Sequence, residues 1–289
     1  MASSSALRIT GRAAFTLLLV VVIALLLFPF YWMLNSALKS EPQLQMTPAT
    51  FMPRSPSTRL VLFSGESFRG IFSDDQVLRG VFNSAIVAGL TTVFSLVIGS
   101  CAAFSLGKLR FAGRTPILYL VLVMTMFPQI SVLSGLYTFL QWTRLGPIPS
   151  MILSYMLFSL PFTVWLQTAF FRSIPSALLQ AGYIDGASPL QVLRFIMLPL
   201  TVPALVTAGL LVFINAWNEY LFALTFTSIA PRARTIPVVI ALFHGQFAQQ
   251  EPFGEIMAAG VTVTVPLVVL VLIFQKRIVA GLTAGAVKG

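Results

Sequence analysis

A single cysteine and a single histidine leave this chain little to do chemistry with. Cys101 has no second thiol for an internal disulfide and no neighbouring metal ligand, so packing is its expected role. His244 stands beside Gly245 with no serine and acid arranged around it and no partner for a metal, which leaves a surface or loop-packing role. Lysine is scarce as well. Of the four, Lys108 follows Gly107 but is followed by Leu109, and Ala102 stands five residues before Gly107, so the phosphate-loop pattern G-x-x-x-x-G-K-[ST] fails twice. Catalytic residues, metal ligands and resident cofactors are therefore not expected here, and any ATP must be hydrolysed on another chain.

Charge is the next shortage. Only 9% of the 289 residues are charged and 57% are hydrophobic, and the mean hydropathy is +0.91. A soluble domain of this length needs more polar surface than that, so the sequence reads as an all-α membrane protein. A helix rising 1.5 Å per residue needs about 20 apolar residues to cross ~30 Å of hydrocarbon. Six such segments are expected, near Ala13–Leu34, Phe82–Leu106, Pro116–Leu136, Ile148–Phe171, Pro199–Phe222 and Gly254–Phe274. Pro128 interrupts the third, and apolar residues continue from it to Leu140. The first follows Arg8 and Arg12 as a signal peptide would, yet its apolar run exceeds the usual stretch of about 7 to 15 residues, so it reads as a retained anchor.

Six crossings place both termini on one side. That side would hold Arg8, Arg12, Lys108, Arg110, Arg114, Arg172, Arg194, Lys276, Arg277 and Lys288, ten basic residues against eight on the other. The positive-inside rule then favours cytoplasmic termini. Residues 1–12 would be a cytoplasmic N-terminus, 13–274 the membrane domain and 275–289 a cytoplasmic tail. The net charge of +10 is dispersed over segment ends, so it calls for membrane lipid and not for nucleic acid. Two external loops are expected, about Lys39–Gly80 and Thr225–Pro252, neither long enough for a domain of ordinary size.

One internal loop has a pattern of its own, S-A-L-L-Q-A-G-Y-I-D-G-A-S-P-L-Q-V-L-R-F-I-M-L, Ser176 to Leu198. Ser173-Ile174-Pro175 reads as a helix start and Tyr183 as the end of a short helix. Asp185-Gly186 is a turn signal, because glycine accepts positive φ. Ser188-Pro189-Leu190-Gln191 reads as a capping box with proline at the first helical position, and a second helix should run to about Leu198. Two helices this short cannot bury Leu178, Ile184, Leu190, Val192 and Phe195 by themselves and need a partner surface. The same pattern fits an amphipathic loop lying on the bilayer.

The run A-G-Y-I-D-G-A-S-P followed by L-P-L-T-V-P resembles the "EAA" loop of ATP-binding-cassette importer permeases. Phe82-Asn83-Ser84, Ala216-Trp217-Asn218-Glu219, Arg234-Thr235-Ile236-Pro237 and the tail QKRIVAGLTAGAVKG are similar to the carbohydrate branch, specifically its maltose-type second permease. The resemblance implies a six-span type I importer permease in the bacterial inner membrane, paired with a homologous permease. It also implies two ATPase subunits that bind ATP and magnesium, and an external sugar-binding protein. Gln180, Ala181, Gly182, Asp185, Gly186 and Ala187 would then couple to the ATPase as part of coupling helices over 176–198. Gln180 stands where the family usually has glutamate, Leu179 replaces the acid before it and Gly182 replaces an alanine, so a charged hydrogen bond to the ATPase gives way to a neutral one.

The external loop from Arg232 to Phe253, with Arg232, Arg234, His244 and Phe247, would contact the binding protein. Asn215, Trp217 and Asn218 offer the amide and aromatic groups that hold sugars, although packing is their expected role because the companion permease looks like the main sugar holder. The tail resembles permeases for disaccharides of the trehalose kind and for small glycosides. Glu219 is the acid nearest the hydrocarbon, and intramembrane carboxylates can mark ion-coupled carriers. It lies about 20 residues after Pro199, roughly 30 Å along a helix, which places it at the far interface and favours a structural role at a gate. Gly281 and Gly285 form G-x-x-x-G outside any apolar run, where flexibility or insertion against another subunit is expected.

Overall fold

The computed structural model describes residues 2–58, 60–243 and 252–286, with side chains from residue 11 to residue 276 within those limits. It is helical, and an isolated bridge between Arg54 and Val61 is the one extended pairing among the described residues. Two compact units are present, residues 1–75 with 243–265, and residues 76–242 with 266–289.

In the first unit α1 (Ala2–Ala37) exposes almost all of its apolar side chains from Phe15 to Leu34, a surface suited to hydrocarbon. The polar chain after it is pinned to its end. Lys39 donates to the Thr50 carbonyl at 2.6 Å and sits 5.2 Å from the Trp32 ring centre, and Trp32 meets Phe51 edge-on at 5.9 Å. Burial lowers the Lys39 pKa. The folded state therefore holds fewer protons there than the unfolded chain, and its stability at this site rises with pH through the window below the usual lysine value. Short helices α2 (Glu41–Leu44) and α3 (Glu66–Ser73) complete the connection to the second unit.

The second unit is organised around α4 (Asp75–Lys108) and α7 (Pro147–Ser173), which run in the same direction. Ser95 and Ser159 hydroxyls meet at 2.8 Å with a separation of 64 residues. Gly99 faces Thr163 and Gly107 faces Phe171 at the same offset, and a Cβ on Gly99 would stand 2.8 Å from Thr163 Cγ2. Ser100 donates to Gln167 Oε1 at 2.7 Å within this seam. A row of small residues at every fourth position, Ser95, Gly99, Ala103 and Gly107, thus lets two helices approach closely, as in membrane helix pairs where packing replaces the hydrophobic drive. The row carries no G-x-x-x-G signature, because serine and alanine share the role of glycine here.

Among the described residues four helices are long and apolar enough to cross a membrane, and the number reaches six if each of two bent helix pairs is one span. The bent pairs correct two sequence expectations. The third segment is not continuous over Pro116–Leu136: α5 (Arg114–Met124) stops, and a 3₁₀ turn (Gln129–Val132) with α6 (Leu133–Trp142) leaves at 95°. Pro128 disfavours helical geometry at Phe127 and removes a donor, which ends α5. The fifth segment does not run from Pro199 to Phe222. It begins at α11 (Val202–Trp217), after an 84° bend at Thr201, and α12 (Leu221–Thr227) is separate from it. Pro203 lies in the first turn of α11, where a missing N–H costs nothing. The Thr201 hydroxyl donates to the Met197 carbonyl at 2.9 Å, partnering an acceptor near the break. The last helix, α14 (Phe253–Ala286), continues beyond Phe274, so the expected separate tail is helical as far as Ala286. Cys101 is exposed on α4 and does not pack in the core.

Candidate functional site

The loop after α7 folds as expected at its turn and differs at its ends. The first helix, α8, covers Ser176–Ile184 with Pro175 at its N-cap, while Ser173 still belongs to α7. Gly186 has φ +82°. The Ala187 amide donates to the Gly182 carbonyl at 2.9 Å and the Gly186 amide to the Tyr183 carbonyl at 3.1 Å. Those two bonds are the Schellman arrangement that closes a helix over a left-handed residue. The capping box is present: the Ser188 amide donates to Gln191 Oε1 at 2.7 Å and the Gln191 amide to Ser188 Oγ at 3.4 Å. From Ser188 the chain runs through α9 (Pro189–Val192), a π-helical turn (Leu193–Met197) and α10 (Leu198–Leu200), slightly past the expected end at Leu198.

The loop is bolted to the helix seam. Leu179, Val192, Leu193 and Met197 are buried with Ala103 and Phe104 of α4 and Phe171 of α7. Lys108 donates to the Ile174 carbonyl at 2.5 Å. Of the five apolar loop residues expected to need a partner, Val192 alone is buried among the described residues. Leu178, Ile184, Leu190 and Phe195 remain 44%, 85%, 68% and 66% exposed, on an element that is braced from within. Large apolar side chains left exposed in this way mark contact with another protein or with the membrane.

The six loop residues singled out in sequence divide into two groups. Gln180, Ala181, Asp185 and Gly186 are exposed. Gly182 is buried and Ala187 half-buried, so these two face the chain itself. A Cβ on Gly182 would lie 2.7 Å from Ile196 Cδ1 and 3.4 Å from Val192 Cγ2. The departure from alanine at this position is thus matched by an isoleucine pressed against it from the π-helical turn.

The corner after α11 is a capping structure. The Phe222 and Ala223 amides donate to the two carboxylate oxygens of Glu219 at 2.9 and 3.0 Å, which caps α12. The buried Tyr155 hydroxyl faces the same carboxylate without hydrogen-bonding geometry. Trp217 is 2% exposed and stacks on Phe213 at 5.7 Å, so it is core. Asn215 and Asn218 are exposed, and Asn218 spends its amide on the Ile214 carbonyl at 2.9 Å.

Two motifs read separately in the sequence meet in space. Asn83 donates both amide hydrogens, to the Arg232 and Arg234 carbonyls at 3.0 and 2.9 Å, and the Ile236 amide donates to Ser84 Oγ at 2.9 Å. Arg232 lies exposed in a 3₁₀ turn (Pro231–Ala233) ahead of α13 (Ile236–Ala241), and Arg234 is half-buried. Arg232 and Arg234 are candidates in the sequence while Asn83 has no expected role there, since side chain to backbone bonds across 149 and 151 residues leave no local signal. His244 and Phe247 lie outside the described residues.

Residues 95–283 match the family described as "Binding-protein-dependent transport system inner membrane component", a region that includes the α4–α7 seam and the whole loop. The chain belongs to this family. It is 40% identical over 269 residues to the trehalose transport system permease protein SugB of Mycobacterium tuberculosis, covering 93% of this chain and 94% of that one. It is also 40% identical over 268 residues to the trehalose/maltose transport system permease protein MalG of Thermococcus litoralis, covering 91% and 92%. Its fold matches a subunit of a bacterial ABC transporter that imports the acidic polysaccharide alginate, with a TM-score of 0.77 at 20% identity over 93% of this chain and 96% of that one. The protein is accordingly a multi-pass inner-membrane permease of a binding-protein-dependent ABC importer, a non-catalytic subunit of that machine.

Proposed function

We propose that this permease forms half of the pathway of an ATP-driven sugar importer, with a homologous permease as the other half. Two cytoplasmic ATPase subunits and an external sugar-binding protein complete the assembly, and the termini of this chain are cytoplasmic. The exposed apolar set of Leu178, Ile184, Leu190 and Phe195, on a loop capped at Gly186 and Ser188, carries the reading. It supplies the surface that an ATPase cleft would cover, with Gln180, Ala181, Asp185 and Gly186 around it and Gly182 and Ala187 shaping it from within. ATP binding closes the ATPase pair, the loop follows, and the helices to which it is bolted turn with it.

Changing such an equilibrium from 1:99 to 99:1 takes about 5.5 kcal/mol of differential binding. A loop anchored by a shared core with α4 and α7 can carry that load. The sugar is a disaccharide of the trehalose kind or a small glycoside, in keeping with the relatives named for trehalose and maltose transport. With both Glu219 oxygens held by backbone amides, an ion-coupled carrier loses the residue that favoured it.

Uptake of labelled trehalose and maltose into proteoliposomes tests this directly. Uptake is expected only with both permeases, the ATPase, ATP and the binding protein present. Uphill uptake by the permeases alone, driven by a proton or sodium gradient, would sink the reading.

A further inference from the structure

We propose that Asn83 and Ser84 are positioning residues for the encounter with the external binding protein, holding the Arg232–Arg234 turn as one piece with α4. This rests on the reading above that Arg232 and Arg234 lie on the surface that meets that protein. Asn83 is 8% exposed, and both hydrogens of its amide are committed to carbonyls of the turn at 3.0 and 2.9 Å. Ser84, next along the helix, accepts from the Ile236 amide at 2.9 Å just beyond the turn. One turn earlier on the same face, a Cβ at Gly80 would stand 3.0 Å from Val239 Cγ2 and 3.3 Å from Ile236 Cα, so the backbone of α13 rests directly on α4.

Three helical positions, i, i+3 and i+4, therefore grip one segment by contact and by three hydrogen bonds. The segment gripped is the turn that presents Arg232 to solvent. A loop held only by its ends would sample many positions, and ordering it on docking would weaken binding. A clasped turn is ordered beforehand. The consequence extends along α4, whose other end shares the buried cluster with the loop through Ala103 and Phe104. Binding-protein surface and ATPase surface are thereby attached to the two ends of one 34-residue helix.

The test uses the full importer in proteoliposomes and titrates ATPase activity with sugar-loaded binding protein. Asn83→Asp keeps the shape, removes both donors and sets a carboxylate against two carbonyls. It is expected to raise the half-saturating concentration of binding protein at least tenfold with the maximal rate within twofold of wild type. Ser84→Ala, which leaves the helix packing intact, is expected to raise it about threefold. A role confined to folding would instead lower the maximal rate without moving the half-saturating concentration, and that result overturns the proposal.

Arg232→Ala separates the two readings. If Arg232→Ala moves the half-saturating concentration while Asn83→Asp and Ser84→Ala do not, the docking surface stands and the clasp is overturned. Should none of the three move it, the docking reading fails, and the clasp's role in positioning fails with it. A thiol at Ala233→Cys in a Cys101→Ser background gives an independent readout. Its labelling rate is expected to rise severalfold on adding Asn83→Asp, and an unchanged rate overturns the clasp.

Discussion

At Gly186 nothing lies within 4 Å of where a Cβ would sit, so a substitution there is felt only through φ +82°. Left-handed geometry costs an L-residue roughly 1–2 kcal/mol, and asparagine tolerates it best. Gly186→Val is expected to weaken co-purification with the ATPase strongly and Gly186→Asn much less, as read by pull-down of the assembled importer. Gln180 is exposed and bears nothing of the fold. Gln180→Glu is expected to retain transport and to tighten ATPase docking, because a charge-assisted hydrogen bond is roughly twice as strong as a neutral one; a transport-dead variant that still assembles would contradict this. Glu219→Ala removes a two-amide cap and should cost about 0.5–2 kcal/mol, visible as a lower melting temperature in detergent. The turn at Gly186 and the box at Ser188 were legible in sequence because both are local: a glycine's tolerance and a three-residue spacing suffice. Glu219 was legible only as a carboxylate near an interface. Its partners are amides three and four residues on, in a short helix that hydropathy merged with its neighbour.

Among the described residues hydropathy located each long apolar helix but not the two bends. Apolarity does not report direction, and Pro128 and Pro203 mark breaks whose angles depend on what each limb packs against. The α4–α7 seam was hidden for a different reason: its row mixes serine, glycine and alanine, and its register of 64 residues is a tertiary property. Gly99→Leu would drive a side chain into Thr163, 2.8 Å from where even a Cβ would sit. Overpacking of that kind typically costs about 1–3 kcal/mol. The variant is expected to lower thermal stability and to uncouple ATP hydrolysis from uptake by loosening the helices that carry the loop. The π-helical turn beside Gly182 offers a second check. A Cβ at Gly182 meets the flexible end of Ile196, so Gly182→Ala should be mild by itself, and Ile196→Val should offset it, a coupling that a double-mutant cycle measures.

For the molecule as a whole, the family and the fold follow from motifs and a matched architecture, while the direction of each face across the membrane rests on charge asymmetry and resemblance. On the proposed reading the loop around Ile184 is gripped by the ATPase and moves with it. Ile184 is 85% exposed at the end of α8, so a cysteine there should leave the fold unchanged. The most direct measurement is cross-linking of Ile184→Cys, in a Cys101→Ser background, to a cysteine placed in the cleft of the ATPase subunit within the assembled importer. A cross-linked permease–ATPase species, with the free thiol protected from reagents added on the binding-protein side, is the expected result. Labelling of that thiol from the binding-protein side, with no cross-link to the ATPase, would overturn the contact between loop and ATPase.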